Sequence, residues 1–325
     1  MILSMGVDIS KKKADITIYN DVVKKNYVIT NSVSSIKRFL KKHSDVDRIV
    51  MEATGTYYLK FATIANELGF YVSVVNPYII KKYGEYKFKR SKTDKIDAEL
   101  IAKYGYENNP KKYKITDKLR SKLKSLLTTI TGLKKQITQN TNRIEALSQF
   151  PNNETKYSIK ALQKVIKAIK REKSNIEKEI QSIIKNNFKK TYELLDGIKG
   201  LGPGCNAAII AYYGDFSDFD SAKKAVAFAG MDPIKHESGS SVRKKSKISK
   251  RGNKVLRALL YMGGMSAIQY NKQCIKLNKR LKDKGKIGKV RIMASAHKLL
   301  RLAYGVVTSG VKYDPDYLKK SAWQS

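Results

Sequence analysis

The chain is short of acid, short of cysteine and without a long apolar run. In its 325 residues, aspartate and glutamate number 28 against 66 lysines and arginines, a formal net charge of +38. So one-sided a balance points to a polyanion, nucleic acid first. Lysine is abundant together with asparagine, isoleucine and tyrosine, as AT-rich coding would produce, but drift of that kind does not explain the scarcity of acids. A ribosome-associated or membrane-surface protein is the bland alternative. The two cysteines, Cys205 and Cys274, stand alone, with no CxxC and no Cys/His cluster. This excludes a zinc site and a disulfide scaffold. No stretch approaches the roughly 18 apolar residues that cross a membrane. The opening run "MILSMGVDISKKK" is too short for a signal peptide. The expected location is therefore the cytoplasm, with no membrane partner. An apolar fraction of 42% still suffices for ordinary cores.

The first hundred residues alternate strand and helix patterns. "ILSMGVDI" (2–9), "ADITIYN" (14–20) and "NYVIT" (26–30) read as a three-strand meander. A helix over 32–43 follows, with Ser32 as its cap, then a strand over 48–53, a helix over 58–69, a strand over 71–76 and a helix over 91–105. This order predicts a mixed α/β sheet domain over 1–112. The middle of the chain has heptad spacing. Leu119, Leu123, Leu126, Ile130, Leu133, Ile137, Ile144 and Leu147 form one seam, interrupted by Asn140. After a break at "FPNNETK", Leu162, Ile166, Ile169, Ile176, Ile180 and Ile183 form a second. The spacing predicts a coiled-coil hairpin over 113–190, or arms that pair with another subunit. A compact helical domain is expected over 191–325, with helices at 220–229, 252–270 and 288–308.

Three groups of residues can carry chemistry. Asp8 and Glu52 end two strands, and Asp94 and Asp97 are three apart on one helix face. Each acid alone reads as a cap or a surface charge. Four converging carboxylates would raise one another's pKa and call for a counter-ion. All-oxygen ligands suit Mg²⁺ or Mn²⁺, and two such ions about 4 Å apart can serve phosphoryl transfer. The second group is "GIKGLGPGCNAA" (197–208), which resembles a helix-hairpin-helix. There Gly200, Gly202 and Gly204 would free backbone N–H groups for a phosphate. A tight turn used for packing is the other reading. The third is "KHESGSSVRKKSKISKRGNK" (235–254), where Arg243, Lys244, Lys245, Lys247, Lys250, Arg251 and Lys254 occur with no acid among them. Phosphate binding is their natural use. Ser238, Ser240 and Ser241 precede them, and a serine needs a base or a metal to act as a nucleophile. His236 and Glu237 are near in sequence only, and on composition these serines belong to a polar loop.

Two rival frames fit less well. Sugar kinases and actin-like ATPases also open on a strand like "GVDIS", but their second phosphate turn and adenosine loop are missing here. A tyrosine recombinase would want a His-x-x-Arg, whereas His297 and Arg301 are four apart, with Tyr313 beyond.

Taken together, these segments resemble the insertion-sequence transposases with a RuvC-like DEDD domain and a C-terminal serine domain, the IS-one-ten family of bridge-RNA-guided recombinases. The resemblance rests on "MGVDISKKKADITIYN", "VMEATGTYYLKFATIANELGFYVSVVNP", "KRSKTDKIDAELIA" and the block from "GIKGLGPGCNAAIIAYYGDF" to "SKRGN". It implies an RNase H-like (RuvC-like) first domain with Asp8, Glu52, Asp94 and Asp97 as metal tetrad. It further implies a catalytic serine, which Ser238 before Gly239 fits best, and a serine–phosphodiester intermediate. The implied partners are donor and target DNA, a structured guide RNA, and further copies of the chain as a homodimer or homotetramer. Two other classes remain to be separated from it. A RuvC-like junction nuclease would use water as nucleophile, and a non-enzymatic binding protein would be indifferent to Mg²⁺ and to Asp8.

Overall fold

The protein is described from a computed structural model. The structure describes residues 2–53, 55–88, 93–114, 117–149, 153–238 and 242–316, with backbone alone at 153–154 and 235–246. The chain divides into two compact units, Met1–Thr116 and Asp117–Ser325.

In the first unit, β1 (Ser4–Ile9), β2 (Lys13–Tyr19) and β3 (Lys24–Thr30) form an antiparallel meander. β4 (Arg48–Glu52) and β5 (Val72–Val75) extend the sheet in parallel from the other side of β1, giving the order β3-β2-β1-β4-β5. The alternation of side chains along β1 decides what each face does. Met5, Val7 and Ile9 join Ile36, Phe39 and Leu40 of α1 (Val33–Lys42) and Phe61 and Ile64 of α2 (Tyr58–Glu67) in one core. Ser32 caps α1, its side chain accepting from the Ser35 N–H at 3.2 Å. The opposite face carries a smaller core of Val50 and Val75 with residues of α3 (Pro77–Tyr86) and α4 (Asp94–Asn108). Leu100 and Ile101 are α4's share of it. The α3 helix falls where the sequence pattern predicts none, although Asn76 caps it and Pro77 starts it, an ordinary helix-opening pair.

The second unit opens with two long helices, α5 (Lys118–Ser148) and α6 (Asn153–Asn187), which lie along each other where the two heptad seams fall. Among the described residues their apolar positions are fully buried at the ends nearest the rest of the unit, at Leu123, Leu127, Ile130, Ile180, Ile183 and Ile184, and Asn140 is buried further along α5. Leu127 takes the buried place that the spacing gives to Leu126, which is half-buried. Then come α7 (Lys189–Asp196), α8 (Pro203–Tyr213) and α9 (Ala222–Phe228), a β-hairpin of β6 (Pro233–Ser238) and β7 (Val242–Ile248), and α10 (Lys254–Tyr270), α11 (Lys272–Asp283) and α12 (Gly288–Ser309). The α8 helix is the centre, buried from Cys205 to Tyr213. The antiparallel hairpin corrects the expectation of a wholly helical domain and of a plain polar loop at 235–254. No clear alternation shows in the sequence, because cations and hydroxyls fill about half of its positions. The α11 helix is hidden too, since its polar sequence carries few apolar positions to betray a period.

Candidate active site

The acidic site begins with a glycine. A Cβ on Gly6 would lie 2.2 Å from the Ala102 backbone nitrogen and 2.3 Å from the Ala98 carbonyl oxygen. With hydrogen there instead, α4 beds directly onto β1. Asp8 is two residues further along β1, on the same face. β4 runs parallel beside it with Gly6 opposite Val50, which puts Glu52 on that face at the end of its strand, next to Asp8. Thr93 starts α4 there, its hydroxyl accepting from the Ile96 N–H at 3.3 Å. Asp94 and Asp97 follow in the first turn. The helix therefore begins after Thr93, and residues 91 and 92 of the expected range 91–105 lie outside the described residues.

The electrostatics of Asp8 express this convergence. Burial, then Asp97, Asp94, Glu52 and Asp15, push its pKa up to about 6. The structure thus brings Glu52, Asp94 and Asp97 within electrostatic reach of Asp8. It adds two groups that the sequence pattern does not single out. Asp15 pairs directly with Asp8 across the β1–β2 ladder and is 7% exposed. Lys13, on the same face of β2, places its ammonium 2.8 Å from Asp94 Oδ2 and 3.1 Å from Asp15 Oδ2. Lys13 holds the Asp94 carboxyl below its ordinary range, and the two acids in turn raise the lysine. Among the described residues no three carboxylate, imidazole or thiol groups gather closely enough to grip one ion as they stand. The donor set nevertheless fits a hard divalent cation: the ligands are all carboxylate oxygen, and Asp8 carries an under-compensated charge.

The C-terminal candidates form a different kind of surface. Gly200 has φ +104, and a Cβ there would meet Ala267 Cβ at 2.6 Å, so packing against α10 alone requires this glycine. Gly202 and Gly204 instead sit exposed at the start of α8, which has no side-chain cap. That leaves N–H groups open to an anion. The base of the β6–β7 hairpin is clasped by a backbone crossing. A Cβ on Gly252 would lie 2.1 Å from the Phe228 carbonyl oxygen, and one on Gly230 would lie 2.4 Å from the Gly252 nitrogen. Arg257 ties the two strands of this crossing, donating to the Ala229 and Gly252 carbonyls at 3.1 and 3.0 Å.

Ser238 ends β6, with its backbone paired to Val242. His236 and Glu237 pair with Lys244 and Arg243. The side chains of 235–246, those of Arg243, Lys244 and Lys245 included, lie outside the described residues, as do Ser240 and Ser241 altogether. Lys247, Lys250, Arg251 and Lys254 are exposed around the hairpin base and the start of α10. Of the groups a tyrosine recombinase would need, His297 and Tyr313 are half-buried packing residues here and Arg301 is exposed. Burial, then Arg301, depresses the pKa of His297, and the Tyr313 hydroxyl donates to Asn271 Oδ1 at 3.4 Å.

Two family models match the chain. Residues 5–150 match the model of the DEDD transposases of IS110 type, and residues 192–279 match the Transposase IS116/IS110/IS902 family. The pilin gene-inverting protein of Moraxella lacunata is 31% identical over 325 residues, covering 95% of this chain and 97% of its own length. The transposase for insertion sequence element IS1111A of Coxiella burnetii is 26% identical over 303 residues, covering 82% and 78%. Among solved structures, Thermus thermophilus RuvC in complex with a Holliday junction substrate aligns over 35% of this chain and all of its own, with TM-score 0.29 and 12% identity.

Proposed function

Because the chain belongs to the IS116/IS110/IS902 family of transposases, it is a DNA recombinase, and we propose that it exchanges strands through a serine–DNA intermediate at a divalent-metal site. Asp8, Glu52, Asp94 and Asp97 would hold Mg²⁺ or Mn²⁺ in an RNase H-like domain. The observation that carries this is the placement of Asp8 and Glu52 at neighbouring strand ends with Asp94 and Asp97 in the first turn of α4, close enough that these charges, with burial, push the Asp8 pKa up to about 6. Acids placed this way favour a hard divalent cation, which would offset the repulsion that the single charge of Lys13 leaves at Asp8. The bound ion supplies Lewis-acid stabilisation of the oxygens around the reacting phosphorus.

Ser238 is the nucleophile in this scheme, with Ser240 and Ser241 the alternatives if the register differs. Its Oγ forms a bond to phosphorus and gives up its proton. One bridging P–O bond of the DNA breaks, and the departing oxygen takes a proton. One phosphodiester replaces another, so the strand is resealed by the reverse step without ATP. Arg243, Lys244, Lys245, Lys247, Lys250, Arg251 and Lys254 grip the strand, with Gly202 and Gly204 marking a second phosphate contact at the α7–α8 turn. The chemistry requires acids and serine on one phosphate, from one subunit or from two. The α5–α6 arms offer a route to a dimer or tetramer. We take 1–112, 113–190 and 191–325 as the functional segments, a structured guide RNA as partner, and the cytoplasm as location. No described helix is long and apolar enough to cross a membrane.

A water nucleophile is the competing reading. A relative named for inverting a pilin gene supports exchange instead, since an inversion requires that cut ends be rejoined. Reaction in ¹⁸O-water separates the two. Exchange leaves recombined phosphates without ¹⁸O, whereas hydrolysis writes one ¹⁸O into each cut end.

A further inference from the structure

The acidic site contains a cation of its own. Lys13 opens β2 on the face that carries Asp15, and its ammonium bridges Asp94 and Asp15 at 2.8 and 3.1 Å. Asp15 in turn stands opposite Asp8 in the β1–β2 ladder. The two halves of the bridge differ in character. Asp15 is nearly enclosed, its side chain 10% exposed, whereas the Asp94 side chain is 58% exposed. The Asp15 link is therefore the anchor, and the Asp94 link lies open to water and to competing ions. Asp15 is not among the four acids assigned to the metal, so Lys13 can surrender Asp94 without leaving the site.

We propose that Lys13 is the resident counter-cation of the catalytic acids, a positioning residue that holds Asp94 until a divalent ion displaces it and that stays in the site on Asp15 afterwards. This rests on the reading that the four acids bind metal. It gives the lysine bridge between Asp94 and Asp15 a role beside the metal ligands. An ammonium and a hydrated divalent ion seek the same oxygens, so one must yield to the other.

The test is Mn²⁺ binding to the full chain without nucleic acid, by calorimetry and by electron paramagnetic resonance. The metal-free melting temperature is read alongside. Lys13→Gln should bind Mn²⁺ roughly fivefold more tightly, the effect of removing one partly exposed competing charge. Its metal-free form should melt lower and gain more from the ion. Lys13→Arg, which keeps the charge, should bind as the wild type does. Equal or weaker binding by Lys13→Gln, with the wild type and Lys13→Arg still binding, overturns the role of Lys13 and leaves the metal site standing. No binding by any of the three overturns the metal site and the inference together.

Discussion

In both units a glycine lets two backbones touch, yet the charge set beside the contact is opposite in sign. At Gly6 the α4 backbone rests on β1, and carboxylates gather beyond the contact. At Gly230 and Gly252 two chain segments cross, and Lys247, Lys250, Arg251 and Lys254 are set around the crossing. The first contact presses like charges together among buried neighbours and raises the pKa of Asp8. The second disperses like charges over an exposed hairpin base and helix start, where water screens them. A concentrated acid site suits a small, hard cation. A dispersed basic one suits a long polyanion. One construction device can thus set up a local charge of either sign.

The contrast can be broken most severely at its acidic pole. Asp8→Asn should lower DNA strand cleavage by roughly 10²–10³-fold, the scale of losing one group that stabilises transition-state charge. Gel assays with Mg²⁺ or Mn²⁺ would measure this, and DNA binding should persist. Next in size are the glycines. Gly6→Ala and Gly252→Ala should each cost roughly 1–3 kcal/mol or more in denaturant unfolding, because each methyl meets backbone that has no rotamer to yield. Gly6→Ala should also weaken Mn²⁺ binding by displacing α4, and Gly252→Ala should leave it unchanged. At the basic pole, Lys247→Gln and Lys250→Gln should weaken DNA binding on all sequences. Removing a cation that neutralises one phosphate should flatten the salt dependence of log K by about 0.9.

The smallest effect concerns pH. The folded pKa of Asp8, about 6, lies above the ordinary aspartate value of 3.8. Ionising it is costlier in the folded state, so the stability tied to its protonated form is whole below about 4 and is lost as pH rises through 6. Metal-free Asp8→Asn should therefore melt a few degrees higher than the wild type at pH 7.5, with the gain vanishing by pH 4. The protein trades that stability for a site ready to receive a cation.

Much of this is legible in the sequence because it is written locally. Strand ends place Asp8 and Glu52, a three-residue spacing places Asp94 and Asp97, and heptads mark α5 and α6. What escapes depends on register or on charge. Asp15 looks like one polar position in an alternating strand, and only the pairing of β2 with β1 sets it against Asp8. Lys13 is one of three consecutive lysines until the face of β2 is known. The β6–β7 hairpin is masked by its cations, and Gly200 reads as a phosphate turn until Ala267 of α10 is found against it. The role of Ser238 comes from family resemblance, since nothing about a serine in a basic segment distinguishes it chemically from its neighbours.

The most direct test of the serine–metal mechanism is to trap the covalent protein–DNA intermediate on denaturing gels, with Mn²⁺ and a DNA substrate the protein recombines, and to map the linked peptide. The mechanism predicts an adduct on Ser238 in the wild type, lost in Ser238→Ala and lost when the metal is chelated. An adduct that survives in Ser238→Ala, or cleavage that proceeds with no adduct at all, would contradict it.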